Sequence, residues 1–314
     1  MGPYGEVTDP PTTPEPTTQK SILPAYLSIE SEEIDSSEHG GPPGRVPTTC
    51  PCGTANKQLN KIIGGEEAGV NEFPFAVMLT IKGRYAPFCG GSIITARHVI
   101  TAAHCVVGLR DWVTIAVRMG DHNFNEENAP HSKTVDVSEI IVHEKYSEHH
   151  NYDIALLVLN ETIKFNRFVF PVCIPAKQLS LDRQYLKAMG WGRTGWTKEN
   201  GLSIYLKKMN VRAVPLSECA RFTSADASDP HQLCTYGKRR GLGKGDSGGP
   251  VVWLDKDTNR YTIVGLPSFV YPFLTQNYKP DVTADVSSFL PWIHEKLKSK
   301  SIKCNTVINS NCAS

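Results

Sequence analysis

Apolar residues beyond position 75 fall in short runs. Residues 76–81, 113–117, 154–159, 250–254 and 261–264 are rich in Val, Ile, Leu and Tyr, and turn residues separate them. Runs of that length at that spacing predict antiparallel β-structure of the barrel type. The period changes only near the end. Phe289, Trp292, Ile293 and Leu297 form an apolar stripe at helical spacing, with Ser288 placed to cap it and Pro291 suited to its first turn. The pattern therefore predicts an all-β chain with one C-terminal helix. Residues 1 to 49 show neither period. They are rich in Pro, Thr, Ser and Glu and poor in aromatics. Such a stretch buries too little apolar surface to offset its chain entropy, so it is expected to be a disordered segment or linker, open to O-glycosylation.

Composition narrows the class. The 314 residues are 40% hydrophobic and 21% charged, with a formal net charge of +1. This is ordinary globular composition with length for a sizeable core. Near-zero charge gives no basis for nucleic-acid or polybasic membrane contact. The apolar runs are strand-sized, so no membrane-spanning helix is predicted. Nine cysteines point to an oxidising compartment, hence to a secreted, extracellular protein. None lies in a CxxC pair and the histidines lack zinc spacing, so no structural metal site is expected. Asn160-Glu161-Thr162 is a glycosylation sequon. The first thirty residues hold no basic n-region and no long apolar h-region, so no signal peptide is visible.

Three motifs carry chemistry. Gly245-Asp246-Ser247-Gly248-Gly249-Pro250 sets a serine in a glycine-shaped turn, where backbone N–H groups can approach a reacting carbonyl. A plain turn would use the same residue types. Thr101-Ala102-Ala103-His104-Cys105 and Asn151-Tyr152-Asp153-Ile154-Ala155-Leu156-Leu157 add a histidine and an aspartate, in the order His, Asp, Ser. From Ile62 to about Lys298 the chain resembles the chymotrypsin/trypsin family of serine proteases, whose triad follows that order. The resemblance implies two antiparallel β-barrels with the active site between them. It assigns His104 as general base, Asp153 as the group orienting it and Ser247 as nucleophile. The oxyanion hole falls to the N–H groups of Gly245 and Ser247.

The resemblance also implies activation. Lys61-Ile62-Ile63-Gly64-Gly65 resembles the family's cleavage site, and a cut after Lys61 frees an Ile62 ammonium that pairs with Asp246. A buried carboxylate needs such a partner, and the pairing orders the oxyanion hole and specificity pocket. The implied organisation is a propeptide over residues 1–61, a protease domain over 62–298 and a cysteine-containing extension over 299–314. Only Cys50 and Cys52 precede the protease, too few for a six-cysteine clip-type prodomain. By the same resemblance Cys89 pairs with Cys105 and Cys219 with Cys234. Cys173 pairs with Cys50 or Cys52, tethering the propeptide. Cys304 and Cys312 pair with each other, or one captures the remaining propeptide cysteine; nine is odd, so one lacks a partner within the chain.

The pocket departs from the family pattern. The position six before the nucleophile, usually Asp in trypsin-like members, is Gly241. The disulfide cysteine four before it is Gly243. A pocket-lining glycine is replaced by Asp281, an exchange resembling broad-specificity crustacean proteases. That acid is placed to meet a basic side chain, Arg best. Ser268-Phe269-Val270 matches the family's Ser-Trp-Gly stretch, which pairs with substrate backbone as an added strand. Val270 at the pocket mouth pulls the other way, toward small residues. The balance favours a relaxed Lys/Arg preference. Asp121, Glu126 and Glu127 fall in the loop where trypsins bind calcium, but the set is incomplete, so a solvated acidic loop and no cofactor are expected. The expected partners are protein or peptide substrates, an activating trypsin-like protease and protein protease inhibitors. The tethered propeptide leans toward an arthropod cascade or venom setting. The competing reading is a silent homologue acting as an adaptor, although all three triad residues are present.

Overall fold

The computed structural model describes residues 51–56, 66–110, 113–126, 129–147, 151–193, 201–237, 241–269 and 279–299. Lys61, Ile62, Val270, Glu127, Cys50, Cys304 and Cys312 lie outside the described residues. A short strand, β1 (Glu66–Glu67), leads into a first barrel. That barrel contains β2 (Ala76–Ile81), β3 (Cys89–Thr95), β4 (His98–Thr101), β5 (Ile115–Met119), β6 (Lys133–Val142) and β7 (Ala155–Leu159), and it closes in the order β2-β3-β4-β7-β6-β5. The second comprises β8 (Tyr185–Gly190), β9 (Lys207–Val214), β10 (Gln232–Tyr236), β11 (Val251–Asp255), β12 (Arg260–Phe269) and β13 (Asp281–Asp285). Its order is β9-β10-β13-β12-β11-β8, closed by β8 pairing with β9, with β1 added on β9. Every named pairing is antiparallel.

Three apolar clusters explain why the runs read as nearly continuous rather than alternating. Val77, Leu79, Val99, Val117 and Leu157 fill the first barrel. Leu186, Ala188, Val211, Leu233, Val251 and Val264 fill the second. Met78, Ile154, Leu156, Met189, Trp191 and Tyr261 belong to a third cluster. Alternate residues of β2 thus serve two cores: Val77 and Leu79 point into the barrel, Ala76 and Met78 away from it. Successive side chains leave a strand on opposite faces, so a strand buried on both shows no polar alternation.

The C-terminal helix α2 (Leu290–Ser299) follows a 3₁₀ turn over Val286–Phe289. Phe289, Trp292, Ile293 and Leu297 are buried in the third cluster, as the stripe predicts. The cap is different from the expected one. Asp285 accepts from the Ser287 N–H, while the Ser288 hydroxyl donates back to the Asp285 carbonyl. The turn starts three residues earlier than the stripe, and only its backbone geometry decides which side chain meets the exposed amides. A single helical turn, α1 (Leu216–Cys219), precedes β10.

Cys52 bonds to Cys173, Cys89 to Cys105 and Cys219 to Cys234. Residues 51–56 pack against the rest of the chain. The Gly53 amide donates to Pro171 O (2.8 Å) and its carbonyl accepts from the Tyr261 amide (2.8 Å). Asn56 Nδ2 reaches Asn71 O and Arg167 O, and Ala55 is buried. Among the described residues no helix is long and apolar enough to cross a membrane.

Candidate active site

Strand pairing brings the histidine and the aspartate together. β4 pairs with β7 so that Thr101 lies opposite Ala155. His104 follows Thr101 by three residues, on a 3₁₀ turn over Ala103–Cys105. Asp153 precedes Ala155 by two. The small buried Ala102 and Ala103 let that turn sit close to the barrel rim, and the Cys105–Cys89 bond ties it to β3. The His104 Nδ1 is 2.7 Å from Asp153 Oδ2, and the His104 amide donates to Asp153 Oδ1 at 2.8 Å. Asp153 is 1% exposed, whereas the His104 side chain keeps 20%. Ser268, buried on β12, donates its hydroxyl to Asp153 Oδ2. The carboxylate thus accepts from an imidazole, an amide and a hydroxyl, which fixes the ring, and Nε2 lies 3.8 Å from Cys105 Sγ.

The serine arrives on a loop of the second barrel. Gly245 has φ +107° and Gly248 φ +70°, conformations that L side chains rarely adopt. A Cβ on Gly248 would run into Thr101 Oγ1 and the Ala102 amide nitrogen, so the loop lies directly against the segment before His104. The Gly90 amide of β3 donates to Ser247 O (2.8 Å), and the Gly248 amide donates to Pro267 O (3.0 Å). Among the described residues, the Ser247 hydroxyl makes no hydrogen bond and the Gly245 and Ser247 amides meet no acceptor. Catalytic contacts in substrate-free enzymes are commonly long and tighten on substrate.

Asp246 turns away from this face. Its Oδ1 accepts from the Gly192 amide (2.7 Å) and its Oδ2 from the Gly243 amide (2.7 Å). A Cβ on Gly190 or Gly192 would collide with the carboxyl, so both glycines exist to admit it. Burial pushes its pKa up, against the pull of those two amides. Sequence reasoning missed this cradle. Its signal was present: glycines at 190 and 192 beside a strand mark a close backbone approach.

Asp281 opens β13 and is 5% exposed. Its Oδ2 accepts from the Leu242 amide (3.0 Å) and would lie 3.3 Å from a Cβ on Gly241. The acid therefore stands against the glycine whose position usually carries one. Burial first, then the nearby Asp246 carboxylate, pushes its pKa up to about 7. Ser268 and Phe269 end β12.

The acidic loop is already engaged. Asp121 faces inward, with Oδ1 accepting from Arg118 Nη2 (2.8 Å) and Oδ2 from Ser132 (3.0 Å). The Arg118 guanidinium also donates to Phe124 O (2.9 Å), so an internal cation sits where that loop closes. Cys89, His104 and Cys105 cluster within 4.8 Å, but both sulfurs belong to one disulfide and offer no thiolate to a metal. Asn160 is exposed just past β7. A separate cleft of about 410 Å³, lined by Leu181, Val214, Leu233 and Asp285 among others, includes none of His104, Asp153, Ser247, Asp246 and Asp281.

The amino-acid sequence is similar to those of known proteins. The family model described as Trypsin matches residues 62–293. A venom serine protease of Polistes dominula is 31% identical over 250 residues, covering 78% of this chain and 87% of that protein. Serine protease SSP1 of Scolopendra subspinipes is 34% identical over 259 residues, covering 78% and 86%. The CLIP domain-containing serine protease HP8 of Bombyx mori is 30% identical over 298 residues, covering 88% and 79%. The chain belongs to the trypsin family and is a serine endopeptidase.

Proposed function

We propose that the protein is a secreted zymogen, activated by cleavage after Lys61, that hydrolyses protein substrates with a relaxed preference for Lys or Arg. The observation that carries the catalytic reading is the double hold of Asp153 on His104, at Nδ1 and at the amide, beside the docked Ser247 loop. A serine hydroxyl is a poor nucleophile at neutral pH and needs a base. His104 Nε2 takes the Ser247 proton as Oγ bonds the scissile carbonyl carbon. The carbonyl oxygen becomes an oxyanion that accepts from the Gly245 and Ser247 amides. His104 then gives the proton to the leaving amine as the C–N bond breaks, leaving an acyl-enzyme. Water repeats the sequence, the acid is released and Ser247 regains its proton. Asp153 holds the tautomer and stabilises the imidazolium throughout.

Asp281 supports the substrate preference. A substrate guanidinium or ammonium would meet its carboxylate beside Gly241, which brings no side chain of its own. Activation would place the Ile62 ammonium on Asp246, relieving a carboxylate that burial disfavours. The Cys52–Cys173 bond supports retention of residues 1–61 as a disulfide-linked light chain, and exposure of Asn160 supports its glycosylation. The disulfides and the venom-protease relatives support secretion.

The test is labelling by a fluorophosphonate probe after tryptic activation. Wild type should label at Ser247, and Ser247→Ala should lose labelling and all but weak residual peptidase activity. Labelling retained at another residue would overturn the triad assignment.

A further inference from the structure

Gly241, Leu242, Gly243 and Lys244 lead directly into the oxyanion loop, and the usual disulfide of this segment is absent because residue 243 is glycine. A cysteine does not fit here. A Cβ on Gly243 would run into the Arg193 carbonyl, so the segment lies backbone against backbone on Arg193. Three consecutive residues instead carry non-covalent ties. The Leu242 amide donates to Asp281 Oδ2 (3.0 Å). The Gly243 amide donates to Asp246 Oδ2 (2.7 Å). The Lys244 carbonyl accepts from the Arg193 amide (3.0 Å). The pocket acid and the activation acid are therefore held by adjacent peptide units. The next residue is Gly245, one of the two oxyanion donors in the reading above.

We propose that Asp281 is a positioning residue as well as a specificity residue: its Oδ2 braces the Leu242 amide and, in place of the missing disulfide, sets the segment that carries Gly245. This rests on the reading that the Gly245 and Ser247 amides bind the oxyanion. Loss of the brace frees the 241–244 segment at one of its ties, and a donor displaced from the oxyanion slows attack on any acylating group. Loss of the charge alone affects only substrates with a basic side chain. The two roles separate because an amide oxygen still accepts a hydrogen bond while carrying no charge.

The experiment compares Asp281→Asn with Asp281→Leu, which are close in volume and differ in the acceptor. The full chain is cleaved, and Ser247 is labelled with an alkyl fluorophosphonate that carries no pocket-filling side chain. Misplacing one oxyanion donor costs up to ~10²–10³ in rate, so Asp281→Leu should label at least about tenfold more slowly than Asp281→Asn. Thermal melts establish that both fold, and Asp281→Ala replaces the leucine variant if it does not. Equal labelling rates for the two would overturn the brace. If neither acceptor-free variant folds, hydrogen exchange at the wild-type Leu242 amide decides: slow exchange supports the brace, and exchange at the rate of an open loop overturns it. The underlying readings fail differently. Wild type that does not label sinks the oxyanion assignment, and wild type without a basic preference sinks the charge role. Neither outcome depends on the ratio between the two variants.

Discussion

Asp281 is a carboxyl whose surroundings act on two properties at once. Its pKa is raised to about 7, by burial first. The unfolded-state value lies near 4. With the folded value above the unfolded one, its share of stability is complete below about pH 4 and is lost as pH rises through about 7. In the proposed specificity, function runs the opposite way, because a basic substrate side chain needs the ionised acid. The ratio of kcat/KM for an Arg substrate to that for an Ala substrate should therefore climb up to tenfold per pH unit below about pH 7 and level off above it. Effects common to both substrates cancel in the ratio. A flat ratio from pH 5 to 9 would show that Asp281 does not meet the substrate, and Asp281→Asn should be flat by construction. At this scale His104, Asp153 and Ser247 were legible in three short motifs. The carboxyl of Asp281 was legible only as a residue type, since burial and the Leu242 bond come from segments nearly forty residues away.

At the scale of elements, the site is a consequence of which strands are neighbours. His104 and Asp153 meet because β4 pairs with β7 in one particular register. β4 and β7 are buried on both faces, so a one-residue slip would exchange side chains between two differently shaped cores, and the packing of both holds that register. Ser268 reaches Asp153 from β12, which ties the second barrel's sheet to the first barrel's acid. The turn between β8 and the 194–200 region is shaped by Gly190 and Gly192 around Asp246. Gly192→Ala should cost roughly 1–3 kcal/mol by overpacking, read as a lowered thermal midpoint, with activated enzyme less active than wild type. An unchanged midpoint would mean that Asp246 moves aside freely. Strand existence was legible from apolar runs, and β2 falls on the expected 76–81. Boundaries were less so: β12 extends to Phe269, well past the expected 261–264, because Gly265 and Pro267 break the apolar run and only pairing with β13 carries the strand through them.

For the whole molecule, the Cys52–Cys173 bond spans 121 residues and crosses the expected cleavage site. Cleavage after Lys61 should leave one species of full mass without reductant and two chains with it, the larger beginning at Ile62. Gel electrophoresis with N-terminal sequencing checks this, and Lys61→Gln should remain a single chain under both conditions. A cleaved light chain that separates without reductant would place the bond elsewhere. The packing of residues 51–56 on Tyr261 and Pro171 means that the tether is also a docked segment, which its composition did not reveal.

The linear chain by itself determined the reaction. The residues proposed as nucleophile, base and orienting acid each sit in a local motif, because the turn geometry each needs is set by immediate neighbours such as Gly245, Gly248 and Ala103. It also determined that a pocket acid and a disulfide are missing before Ser247. It offered Asp281 as a compensating acid, but which amides that acid and Asp246 accept from was decided only by tertiary structure. Asp281 and Asp246 share the 241–244 segment through adjacent amides, and Cys52 rather than Cys50 meets Cys173. Those are contacts between residues far apart in sequence, and spacing along a chain carries no information about which amide a distant carboxylate will face.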